Sequence, residues 1–135
     1  CNWLSDSTGE KIMLPTEQEW QRAAQGNDGR NYPWGNDWNR DLCNNNVDDK
    51  CIGKTTPVTE YGGKGDSSFA VVDMAGNVWE WCTDIYDEEV YGSYRIFRGG
   101  GWFDEERGCI ATNRRRSHPI SFKIDDLGFR IAKNI

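Results

Sequence analysis

Three groups of side chains in this sequence have the types and spacing to do chemistry. In DMAGNVWEW, Asp73 to Trp81, a single carboxylate, Glu80, stands between Trp79 and Trp81 just after a Gly-Asn pair. Held among indoles without a partner, an ionised carboxylate costs on the order of several kcal/mol. Glu80 therefore needs a counter-charge, which a metal ion or an arginine, Arg98 or Arg130, would supply. The second group is the thiols Cys1, Cys43, Cys51, Cys82 and Cys109, an odd number that leaves at least one free or paired outside the chain, with Cys1 the candidate. Cys43 with Cys51, or Cys82 with Cys109, are the disulfides considered within it. Cys-x-x-Cys does not occur and His118 is the single histidine, so a structural zinc site or a multi-histidine iron site lacks material. The third group is NRRRSHP, Asn113 to Pro119, whose arginines could grip a carboxylate by paired hydrogen bonds or simply meet acids such as Glu105 and Glu106. Trp102, after Gly99 to Gly101, reads as a pocket wall or as core.

The elements that must position these groups are short. A length of 135 residues fits one domain. In LPTEQEWQRAAQG, Thr16 as N-cap, Glu19 three residues later and Gly26 after the last turn predict a helix over 17–25 with Trp20 and Ala23 or Ala24 inward. CNWLSDSTGEK reads as a helix entered partway, closing near Gly9, with Trp3 and Leu4 at core-like spacing. From Asn27 to Lys54, turn formers surround Tyr32, Trp34 and Trp38, which predicts a long ordered loop stapled by metal ions or by a Cys43 to Cys51 disulfide. The runs TTPVTEY, SFAVVDM, YRIFRGG and LGFRIAK read as strands of a small antiparallel sheet. The 22 acidic against 16 basic residues argue against nucleic acid or an anionic membrane surface as partner. No stretch reaches the roughly 20 apolar residues needed to span a bilayer, and the first residues lack the basic and apolar regions of a signal peptide.

The segments WLSDSTGEKIMLPTEQEW, YPWG, IGKTTPV, DMAGNVWEW, FRGGGW and LGFRIAK, in that order, resemble the formylglycine-generating enzyme, or sulfatase-modifying factor, family, essentially from Cys1 to Lys133. The resemblance implies an α+β, C-type-lectin-like fold, loop-rich, with short antiparallel strands and few helices. Members carry a further stretch before the WLS segment, so residues 1–135 are expected to be the C-terminal portion of a single domain whose N-terminal part is missing or held by another chain.

The resemblance also implies sites. Asp73, the Gly76 and Val78 carbonyls and Glu80 would bind calcium, a hard cation that takes six to eight oxygen ligands. A second calcium would sit at Asn46, Val47, Ile52 and a carboxylate from Asp48 or Asp49, although such an Asn/Asp run is also ordinary turn chemistry. Catalytic members hold copper(I) between two cysteines five positions apart and use oxygen to convert a sulfatase cysteine to formylglycine. Here Cys109 keeps the second position, Asp104 replaces the first, and Gly101 replaces a serine. A carboxylate is a poor copper(I) donor, so copper is doubtful.

The leading expectation is a calcium-stabilised ligand-binding or accessory domain, with a peptide or small molecule near Trp102, Arg107 and His118. An extracytoplasmic setting is slightly favoured, though the cysteine count leaves the compartment open. The alternative is an active oxygen-dependent oxidase of the family, acting on sulfatase cysteines or another substrate. Iron-dependent relatives of the sulfoxide synthase type take their histidines largely from a separate helical domain, which leaves this chain at most the substrate-shaping half. Retroelement-diversified receptors share the scaffold but are rich in Asn toward the end, where residues 99–128 contain only Asn113.

Overall fold

The computed structural model describes residues 1–48, 51–116 and 123–133. Along the chain, α1 (Asn2–Thr8) leads to β1 (Ile12–Met13) and α2 (Glu17–Gln25). A long irregular stretch with a 3-10 turn at Arg40–Leu42 follows, then β2 (Trp79–Ile85), α3 (Glu88–Tyr91) and β3 (Arg95–Arg98). A second 3-10 turn at Glu106–Cys109 precedes β4 (Arg114–Arg116), β5 (Leu127–Gly128) and β6 (Ala132–Lys133). Two small sheets result, β1-β6 and a four-stranded β4-β3-β2-β5.

Helix α2 forms where its caps predict. Thr16 Oγ1 accepts from Glu19 N–H at 3.2 Å, and Thr16 N–H donates to Glu19 Oε2 at 2.7 Å, so both halves of the capping box are closed. The helix is held to the sheet at its first turn, where Glu17 N–H donates to Asp84 Oδ2 at 2.6 Å. Buried Arg98 of β3 ion-pairs with Glu17 and donates to Gln21 Oε1 at 3.0 Å and to the Ala111 carbonyl at 3.0 Å. Trp20 and Ala24 enter the main core with Met74, Cys82, Ile96 and Ala111.

Four expectations are corrected. The main sheet is mixed: β2 pairs antiparallel with β3 but parallel with β5, Trp79 opposite Leu127 and Glu80 opposite Gly128. TTPVTEY and SFAVVDM form turns. Pro57 has no N–H to give a ladder and its carbonyl takes Glu60 N–H at 3.0 Å, while Ala70 and Asp73 adopt φ of 57° and 53°, which no strand accommodates. Trp3 is 78% exposed in this chain, although α1 does end at a left-handed Gly9. All five cysteines are free, so neither the Cys43–Cys51 nor the Cys82–Cys109 bond is present.

Aromatics and amides brace the long loop. Tyr32 stacks on Trp34 at 5.4 Å with Trp38 tilted against both, and Tyr32 Oη donates to Glu106 Oε1 at 2.9 Å. The Asn45 amide donates to the Arg40 and Cys43 carbonyls, each at 2.8 Å. Among the described residues, no helix is long and apolar enough to cross a membrane.

Candidate functional site

The Asp73–Trp81 segment is a tight loop running into β2. Asp73, Gly76 and Asn77 all take left-handed φ, 53°, 72° and 67°. At Gly76 a glycine is required twice over, by the φ and because a Cβ would lie 2.2 Å from the Asn44 carbonyl oxygen. Buried Asn77 braces the loop: its N–H donates to the Asn44 carbonyl at 2.9 Å, its Oδ1 accepts Thr56 N–H at 2.9 Å, and its amide donates to Asp73 Oδ2 at 3.2 Å.

Glu80 is 5% exposed. Arg130 Nε meets Glu80 Oε2 at 2.5 Å and its Nη2 meets Oε1 at 2.7 Å, while Trp20 Nε1 donates to Oε2 at 2.6 Å. Its partner is thus Arg130, one of the two arginines its setting called for; Arg98 lies opposite it in register but turns to Glu17. Arg130 Nη2 also reaches the Val72 and Asp73 carbonyls at 3.1 Å each.

Would calcium fit here? Asp73 is a half-buried carboxylate whose donor is a neutral amide, and burial raises its pKa to about 6 from an ordinary 3.8. Asp73, Val78, Glu80 and Arg130 line one cavity. On the Asp73 side of that cavity a hard cation would meet one carboxylate with Arg130 on the same wall, and among the described residues no group of three or more His, Cys, Asp or Glu side chains could hold a metal ion. The Glu80 side is already neutralised by Arg130, so a cation there would share an ion-paired carboxylate.

The second loop assembles less well. Asn46 N–H is tied to the Asp104 carbonyl at 2.8 Å, Val47 N–H to Asn45 Oδ1 at 3.0 Å, and Asp48 pairs with Arg40 at 2.8 Å. Asp49 lies outside the described residues. Ile52 does line a cavity, with Arg40, Cys43, Asn44 and Tyr61. On that wall the sequence reading missed Asn44. Its amide nitrogen serves the Lys54 carbonyl at 2.8 Å, whereas its Oδ1 is buried with no hydrogen-bond partner. Three successive asparagines gave no sequence signal for which one turns inward. Arg40, on the same wall, opposes a divalent cation.

At the position of the copper pair, Asp104 works as a structural knot. Its Oδ2 accepts from Trp79 Nε1 at 2.6 Å and Gly101 N–H at 2.9 Å, and Oδ1 meets Arg115 Nη2 at 3.3 Å. Arg115 in turn lies over the Trp79 ring at 4.8 Å. A Cβ at Gly101 would come within 2.6 Å of Asp126 Oδ2, so the glycine makes room for that carboxylate. Cys109 is 0% exposed, and its pKa is pushed well above the ordinary thiol value by the neighbouring Cys43 thiol and by burial. Cys82 sits in the main core, its thiol pushed up to about 12 chiefly by burial.

Half-buried Trp102 donates its N–H to the Asn77 carbonyl at 2.9 Å and meets Phe103 edge-on at 5.6 Å. The two line an open cleft with Lys123, Ile124, Asp125 and Asp126. Arg107 is exposed on the 3-10 turn, its carbonyl accepting from the Asn113 amide at 3.0 Å. His118 lies outside the described residues.

Few helices, a small mixed sheet and long braced loops define an α+β domain of the C-type-lectin-like class. The chain belongs to the sulfatase-modifying factor enzyme 1-like domain family, whose model matches residues 1–135. It is 34% identical to the inactive C-alpha-formylglycine-generating enzyme 2 of Bos taurus over 88% of this chain and 43% of that one. It is 32% identical to the formylglycine-generating enzyme of Streptomyces coelicolor over 90% of this chain and 46% of that protein. In fold it is similar to the solved structure of PvdO from Pseudomonas aeruginosa, with TM-score 0.82 and 25% identity, over 99% of this chain and 57% of that one. The chain spans less than half the length of the curated relatives it matches.

Proposed function

We propose that this chain is a ligand-binding or accessory domain on the formylglycine-generating-enzyme scaffold, stabilised by calcium and without the family's copper oxidase chemistry. The observation that carries the reading is the state of the copper position. Asp104 spends its carboxylate on Trp79, Gly101 and Arg115, and Cys109 is a fully buried thiol facing Cys43, so no exposed thiolate pair is offered to a substrate thiol. The similarity to a relative described as inactive supports this reading, and the similarity to a formylglycine-generating enzyme keeps the oxidase as the alternative.

Calcium would be held by the Asp73 carboxylate and the Gly76 and Val78 carbonyls, with Glu80 at the edge, and would supply counter-charge to a desolvated acid. The set at Asn46, Val47, Asp49 and Ile52 has weaker support, because Arg40 shares its cavity wall. A peptide or small-molecule ligand would use the cleft beside Trp102. Arg107 and His118 stay in the reading on the strength of the sequence alone.

Oxygen consumption measured with copper(I) and a cysteine-containing sulfatase peptide tests this directly. The expected rate equals that of a Cys109→Ser variant. A copper-dependent rate that vanishes in the variant would establish the oxidase.

A further inference from the structure

We propose that Cys43 and Cys109 form a redox modification site: a buried dithiol that closes to a disulfide by exchange with a low-molecular-weight disulfide, joining the long loop to the segment after the three glycines. The two thiols belong to one small cluster with Ala75, packed on by Trp34 and Trp38, and are 2% and 0% exposed. Cys43 lies close enough to Cys109 to help raise the pKa of its thiol. Their main chains are fixed on either side of the contact. Asn46 N–H donates to the Asp104 carbonyl at 2.8 Å, and the Asn44 carbonyl accepts Asn77 N–H at 2.9 Å. The other cysteines are elsewhere: Cys82 in the main core, Cys1 exposed and Cys51 half-buried.

An entry route exists on the Cys43 side, because Cys43 lines a cavity with Arg40, Asn44, Asn45 and Tyr61. Arg40 on that wall is paired with Asp48 and Asp41, so the route carries little net charge, and oxidised glutathione serves as the probe disulfide. Cys43 loses its proton to solvent and attacks one sulfur of the incoming disulfide, expelling the first thiolate. Cys109 then loses its proton and attacks the Cys43 sulfur of the mixed disulfide, expelling the second. Two protein thiols are oxidised, and one small disulfide is reduced to two thiols. The new bond ties positions 43 and 109 and removes conformational freedom from the unfolded chain. It requires neither copper nor calcium, so it stands or falls apart from the proposed function.

The test incubates the reduced, folded chain with oxidised glutathione, alkylates the remaining thiols after denaturation and maps the peptides. A peptide linking Cys43 to Cys109 is expected. The thermal midpoint should rise by about 5 °C or more, reversibly with dithiothreitol, and Cys43→Ala should show no such rise. Should that variant fold poorly, the linked peptide from the unmodified sequence decides alone. Recovery of Cys43 and Cys109 as separate alkylated peptides, or of either joined to a different cysteine, would overturn the proposal.

Discussion

Glu80 shows how far a single residue can be read from sequence. A carboxylate between two tryptophans demands a counter-charge, and both arginines within reach of the sheet were legible as partners. Choosing between them was not, because it depends on side-chain direction. Arg98 is the cross-strand neighbour, yet its guanidinium is taken by Glu17, Gln21 and the Ala111 carbonyl. Arg130 comes from just past β5, which lies parallel to β2, a pairing that no local pattern announces. Removing Arg130 leaves a 7%-exposed Glu80 side chain with only the Trp20 indole to satisfy it. Arg130→Ala is therefore expected to lose about 3 kcal/mol in denaturant unfolding with chelator present, placed at the low end of the buried-pair range because a quarter of Arg130 is exposed. A combined Glu80→Gln, Arg130→Met variant should recover part of that loss. A single-variant loss below about 1 kcal/mol would mean the pair behaves as a surface contact.

At the scale of elements, legibility followed the locality of the signal. Helix α2 carries its whole instruction between Thr16 and Gly26, with Thr16, Glu19 and Gly26 marking ends that the structure reproduces. Strand β2 was missed because Trp79, Glu80 and Cys82 are all buried, which erases the alternation that marks a one-sided strand. In the Asp73 loop the glycine was legible but its closest neighbour was not. Gly76 meets the Asn44 carbonyl from a loop some thirty residues earlier, and backbone cannot swing aside. Gly76→Ala should cost about 2 to 4 kcal/mol, combining left-handed strain with forced displacement of the loop backbone at Asn44. Gly9→Ala isolates the first contribution, since Gly9 has φ of 70° and nothing within 4 Å of its would-be Cβ, and should cost about 1 kcal/mol. Equal losses at both positions, read from chemical unfolding, would show that the packing against Asn44 is unimportant.

Across the whole molecule, charge balance at the Asp73 loop links pH, cation and stability. Burial raises Asp73 to about 6 from 3.8, so between those pH values the folded chain keeps a proton that the unfolded chain has released. The folded state is therefore favoured at the acid end, and in chelator the contribution of Asp73 to stability falls as pH rises through that window. Because the residue is only half-buried, the loss is on the order of 1 kcal/mol. Above the window the ionised carboxylate is the form that a hard cation binds. Calcium at about a hundred times its dissociation constant should then return about 2.7 kcal/mol, seen as a higher thermal midpoint at neutral pH. In chelator, Asp73→Asn should flatten the Asp73 part of the pH slope; in calcium, the same variant should no longer respond to the cation. A calcium response that survives in the variant would move the cation to another loop, such as that of the unpartnered Asn44 oxygen. Identical melting of the unmodified chain with and without calcium at pH 7 would leave Arg130 as the sole counter-charge and remove the cation from the proposed function.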